Sequence, residues 1–74
     1  MKMQTYKNLD GNSSVSAFLI GDKYIDVQFN SGRIYRYSYG SAGIANVEQM
    51  KRMAVEGRGL NSFIMRNVRD KYEH

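Results

Sequence analysis

The residues best placed to do chemistry in this 74-residue chain are aromatic and basic rather than catalytic. Tyr35, Tyr37 and Tyr39 alternate along RIYRYSYGSAG, with Arg33 and Arg36 beside them. Aromatic rings interleaved with guanidinium groups are what single-stranded nucleic-acid binders use, because every base has a face that stacks. A second group lies downstream in VEGRGLNSFIMRNVRD, where Arg58 stands between two glycines and Asn61 opens a new apolar pattern. Flexible glycines before a helix start offer backbone amides to a phosphate, although Gly followed by Asn is also ordinary helix capping. Arg66 and Arg69, one turn apart, present forked donors that suit phosphate or carboxylate oxygens.

Other chemistries lack their residues. The chain has no cysteine, and its single histidine is His74, so thiol nucleophiles, thiolate zinc sites and Ser-His pairs are excluded or nearly so. Asp10, Asp22 and Asp26 match no metal-loop spacing, and Asp26 more simply balances Arg36 across two strands. The expectation is a protein that is not an enzyme and needs no metal or cofactor.

Charge and length bound the rest. Eleven Lys and Arg against seven Asp and Glu leave a formal charge of +4, which favours anionic partners. Residues 51 to 72 hold six basic side chains (Lys51, Arg52, Arg58, Arg66, Arg69, Lys71) against Glu56 and Asp70, an excess equal to that of the whole chain. The positive charge is therefore concentrated in the last third. A chain this short makes one domain, held by packing alone because no disulfide braces it. No apolar run approaches the roughly 18 residues of a membrane span, and MKMQTYKNLDGN has no apolar stretch to act as a signal peptide, so a cytoplasmic protein is expected.

The elements that must position these residues follow from periodicity. Residues 1–12 read as a polar lead or short first element, with Tyr6 as an anchor, and residues 13–72 as a single domain. VSAFLIGDKYIDVQFNSGRIYRYSY reads as three β-segments separated by Gly21-Asp22 and Asn30-Ser31-Gly32. A three-residue loop with Gly32 left-handed pairs Phe29 with Arg33, Val27 with Tyr35 and Ile25 with Tyr37. Ile25, Val27, Phe29, Tyr35, Tyr37 and Tyr39 then share one face, and Tyr24, Asp26, Gln28, Ile34, Arg36 and Ser38 the other. A two-residue Ser31-Gly32 turn would mix the two faces. After a turn at Gly40 to Gly43, Ile44, Val47, Met50 and Ala54 recur at helical spacing, with Glu48 four residues before Arg52. Gly57 and Gly59 end that helix, and Leu60, Ile64 and Val68 form the stripe of another, with Ser62, Arg66 and Arg69 opposite. The expected fold is α+β: a three-stranded antiparallel meander followed by two helices packed on one face, in two layers. In that register the tyrosine stripe faces the helices and is core before it is a stacking platform. RNA-recognition sheets, which GRIYRYSY also resembles, require βαββαβ connectivity and an open aromatic face.

SSVSAFLIGDKYIDVQFNSGRIYRY, a helix, and EGRGLNSFI together resemble the KTSC domain. This is a small module found at the C-terminus of some lysyl-tRNA synthetases and as single-domain bacterial and phage proteins. The matching pieces are Ser13-Ser14, the Phe29-x-Ser31-Gly32 hairpin, Tyr35-x-Tyr37, and Gly57 followed by Leu60-Asn61. Gly40-Ser41 stand where that family tends to have Val-Pro, and Val68 stands where it usually has a tyrosine. The resemblance implies the fold and, through the synthetase context, RNA as a ligand.

Together these readings give a small non-catalytic binding module for a phosphate-bearing ligand, RNA or a small nucleotide that it sequesters. Arg58, Arg66 and Arg69 would neutralise phosphate, Arg36 would extend the patch, Asn61 would offer a hydrogen bond, and Tyr37 would reach the rim. The alternative is a protein-interaction module, for instance one that modulates a host factor, with Met53 and Met65 on a sticky surface. The outer sheet face with Tyr24 and Ile34 also offers a surface on which two copies could pair.

Overall fold

The computed structural model describes residues 3–73. Four strands, β1 (Gln4–Thr5), β2 (Val15–Ile20), β3 (Tyr24–Phe29) and β4 (Ile34–Ser38), form an antiparallel sheet in the order β1-β2-β3-β4. Helix α1 (Tyr39–Ala42) is a single turn, α2 (Ile44–Glu56) has 13 residues, and α3 (Leu60–Phe63) continues directly into π-helical turns over Ile64–Val68. The helices cover one face of the sheet, and the core lies between the two layers.

The β3–β4 register is the one the three-residue loop requires. Ile25 pairs with Tyr37 and Val27 with Tyr35, and the Phe29 amide donates to the Arg33 carbonyl at 2.9 Å. Gly32 adopts φ +94°, which an L side chain resists, and its amide closes the loop on the Phe29 carbonyl. Alternation then buries Ile25, Val27 and Tyr37 completely or nearly so under α2 and α3. Where β2 meets β3, a bulge between Val15 and Ala17 keeps Val15 and Phe18 both on the inner face.

Three local expectations change. The sheet has a fourth strand, because Gln4 and Thr5 pair with Phe18 and Ala17, and Tyr6 behind them is buried in the core. Tyr39 packs against the core from the first turn of α1 rather than from the strand, since β4 ends at Ser38. The Ser38 hydroxyl accepts from the Ser41 amide while the Ser41 hydroxyl accepts from the Ser38 amide, a reciprocal cap that starts α1. Glu48 pairs not with Arg52 but with Lys51 at 2.8 Å and with the Tyr39 hydroxyl at 2.6 Å, while Arg52 bonds Gln49. The bonds from Lys51 and Tyr39 hold the Glu48 carboxyl below its ordinary value.

The last helix shows why its shape departs from an α-helix. Leu60, Ile64 and Val68 are all fully buried, and a spacing of four residues overshoots an α-helical turn by about 40° per step. The wider π-turns over Ile64–Val68 offset that drift and keep the three side chains in one line. Their consequence on the solvent side is that Met65, Arg66, Asn67 and Arg69 are all exposed.

Candidate functional site: two clefts along the last helix

The exposed side of α3 and its π-turns runs between two clefts. The first, of about 320 Å³, lies between the β3–β4 hairpin and the end of this helix. Phe29 and Tyr35 enter it because they are the inner-face residues nearest the hairpin tip, beyond the reach of α2. Their rings meet edge to face at 5.6 Å between centroids. Tyr72, from the chain after the helix, lies against Tyr35 at 4.5 Å and against Tyr37 at 6.2 Å. Met65, Arg69 and Asp70 supply the helix side. Arg33 borders this group, donating from Nη1 to the Tyr35 hydroxyl at 3.5 Å. Burial pushes the Tyr37 phenol up to about 12, with Tyr35, Tyr72 and Asp70 adding to the shift, so Tyr37 carries its proton throughout the neutral range.

The second cleft, of about 290 Å³, lies at the other end of the helix and is polar. It forms where residues 6–13 fold across the corner between α2 and α3. The Leu9 amide donates to the Gly57 carbonyl at 2.9 Å, and the Tyr6 hydroxyl accepts from the buried Leu60 amide at 3.3 Å. The Asn8 side-chain oxygen accepts from the Ser13 amide, and the Ser13 hydroxyl from the Val15 amide, so the loop is braced by its own side chains. Asp10, Asn12, Asn61 and Ser62 line the same cleft, and among the described residues their side chains make no hydrogen bond.

The residues singled out from the sequence fall in several places. Arg69 stands at the aromatic cleft, whereas Tyr37 lies beneath it at 1% exposure and does not reach the rim, because alternation along β4 turns its ring into the core. Asn61 lines the polar one; it does not cap α3, whose N-cap is Gly59, so its carboxamide is left facing the cleft. Arg58 is exposed at the corner between the glycines, and Arg66 is exposed on the helix between the two clefts. Among the described residues the guanidinium groups of Arg58, Arg66 and Arg69 make no ion pair or hydrogen bond.

Arg36 does not extend this patch. It projects from the opposite face of the sheet, where Nε and Nη2 donate to the two oxygens of Asp26 at 2.7 and 3.0 Å. Its guanidinium also lies 3.9 Å from the centre of the Tyr24 ring. Those bonds hold it far above the ordinary arginine range, and its charge is already matched.

Sequence reasoning missed Tyr72 as a cleft residue and read Phe29 as core alone; it singled out Tyr35 and Met65 but not their meeting, and it missed Asn8, Asp10 and Asn12 as lining of the polar cleft. The three polar residues of NLDGN were visible as a turn, but what they fold against is more than 40 residues away. No group of three or more His, Cys, Asp or Glu able to hold a metal occurs among the described residues. The chain matches no protein-family model, no curated protein and no solved structure.

Proposed function

We propose that this chain is a small non-catalytic module, KTSC-like in design, that binds a nucleotide or RNA through the aromatic cleft. The observation that carries the reading is the meeting of Arg69, which has no carboxylate partner among the described residues, with the half-buried rings of Phe29, Tyr35 and Tyr72. A base stacks on the open face of an aromatic ring while a guanidinium on the same rim neutralises its phosphate. Arg66, one turn earlier, and Arg33, across the hairpin, add positive potential. Asp70 offers an acceptor to an exocyclic amine of the base.

A thermal-shift screen against nucleoside monophosphates and short RNA tests this. A ligand at 100 times its dissociation constant stabilises by about 2.7 kcal/mol, which a domain of this size registers as a clear rise in Tm. Arg69→Ala is expected to weaken binding roughly tenfold or more, and log affinity for RNA to fall with log salt by about 0.7 per phosphate neutralised. No shift with any nucleotide or RNA, or a salt-independent affinity for RNA, would overturn the proposal.

A second reading, a protein-interaction module, draws on the other side of the sheet. No helix covers that face among the described residues, and Ile34 there is 54% exposed. A stoichiometric protein complex surviving nuclease and high salt would favour it over nucleic-acid binding.

A further inference from the structure

We infer that the ligand is a single strand of nucleic acid rather than a lone nucleotide, and that the polar cleft reads the base edge of a neighbouring nucleotide. This inference rests on the proposed binding of a nucleotide in the aromatic cleft. Three observations carry it.

The first is placement. Ser62 lines the polar cleft and Arg69 the aromatic one, and both lie on the solvent side of the same helix. They are seven positions apart, a span of about 10 Å at the helical rise. Arg66 stands between, four residues from one and three from the other, so the stripe Ser62, Arg66, Arg69 joins the two clefts. A chain of phosphates laid along this stripe would meet two guanidinium groups that have no other partner among the described residues.

The second is the chemistry of the polar cleft. Asn12 and Asn61 each bring a carboxamide with one donor and one acceptor group, and neither makes a hydrogen bond among the described residues. A carboxamide is the side chain that matches the paired donor and acceptor on a base edge. Asn8 lines the cleft too, but its oxygen is already taken by the Ser13 amide. Free carboxamides and a free hydroxyl, at Ser62, in a concave site favour a planar ligand with hydrogen-bonding edges.

The third is charge. Asp10 lines this cleft, so a phosphate would meet a carboxylate there, whereas the exocyclic amine of a base would gain an acceptor. The corner glycines and the start of α3 are thus set against phosphate binding at this end. The phosphate belongs on the arginine stripe, and the base in the polar cleft.

The test is a length series. Adenosine monophosphate and fluorescently labelled oligoadenylates of increasing length are titrated against the full chain at fixed salt. Affinity is expected to rise about tenfold or more once the oligomer is long enough to span both clefts, because the second contact becomes intramolecular. In the Asn12→Ala/Asn61→Ala double variant this gain with length disappears while monophosphate affinity stays as in the parent. In Arg66→Ala the gain shrinks and the salt slope falls by about 0.7. Thermal melts of each variant matching the parent show that the fold is intact. Monophosphate binding with no gain in length, or a gain that survives the double variant, overturns this inference and leaves the aromatic-cleft reading standing. Failure of both monophosphate and oligomers to bind overturns the two together.

Discussion

Replacing Gly57 with alanine tests whether the leading segment is an integral part of this domain. Gly57 ends α2 at φ +81°, and an added Cβ would lie 2.6 Å from the Lys7 Cβ and 3.5 Å from the Lys7 Cα. Two terms act. A left-handed backbone costs an alanine about 1–2 kcal/mol. Carbon atoms prefer a separation of about 3.5–4.0 Å, so the Lys7 backbone must retreat by about 1 Å, straining the bond from the Leu9 amide to the Gly57 carbonyl. Overpacking of this kind adds about 1–3 kcal/mol. The sum is about 2–5 kcal/mol, against a total stability of about 4–11 kcal/mol for a chain of this length. Gly11→Ala supplies the control, because Gly11 has nearly the same φ, +79°, and nothing within 4 Å of the position of a Cβ. Urea denaturation followed by circular dichroism should place Gly57→Ala below Gly11→Ala by the overpacking term alone. Equal losses in the two variants would refute the argument that residues 6–9 are tightly seated on the α2–α3 corner.

Two further outcomes follow from the same geometry. Asp26→Asn removes the carboxylate charge and one of the two oxygens that accept from an arginine whose side chain is 46% exposed, so the expected loss is modest, about 1–2 kcal/mol by urea denaturation, with no change in RNA titration because the pair lies on the opposite face of the sheet. Tyr37 ionises at about 12 in the folded chain against 10.0 for a free phenol, so its contribution is whole below about pH 10 and is lost as pH rises toward about 12. The fall in stability over that interval, on the order of a few kcal/mol, should flatten in Tyr37→Phe; an unchanged slope would contradict the burial of this phenol.

How much was legible in the sequence depended on the distance over which each element is determined. The β3–β4 register followed from a three-residue loop and strict alternation, both local, and Asp26 opposite Arg36 followed with it. Helix α2 was visible because Ile44, Val47, Met50 and Ala54 keep one period and Gly57 ends it. The fourth strand was hidden because Gln4 and Thr5 carry no apolar signal; their place comes from Tyr6, whose ring is buried and whose hydroxyl meets the Leu60 amide 54 residues away. Both clefts share that origin. Each joins segments far apart in the chain, so composition could point to Arg69, Tyr37 and Asn61 singly but not to the grouping that sets Asn61 apart from the other two. Arg36 was grouped with them on charge alone, which cannot tell one side of a sheet from the other.

The segment that follows the last helix has a protective consequence. Besides setting Tyr72 on the aromatic cleft, it lets the Glu73 amide donate to the Arg36 carbonyl at 2.7 Å, so it occupies part of the ladder along the outer margin of β4. The opposite margin is β1, only two residues long. A β-rich hexapeptide such as IYRYSY, left with an open margin, is a template on which other chains add strand by strand into fibrils. With one margin partly occupied and the other carried by a strand of two residues, this sheet offers less purchase for such growth.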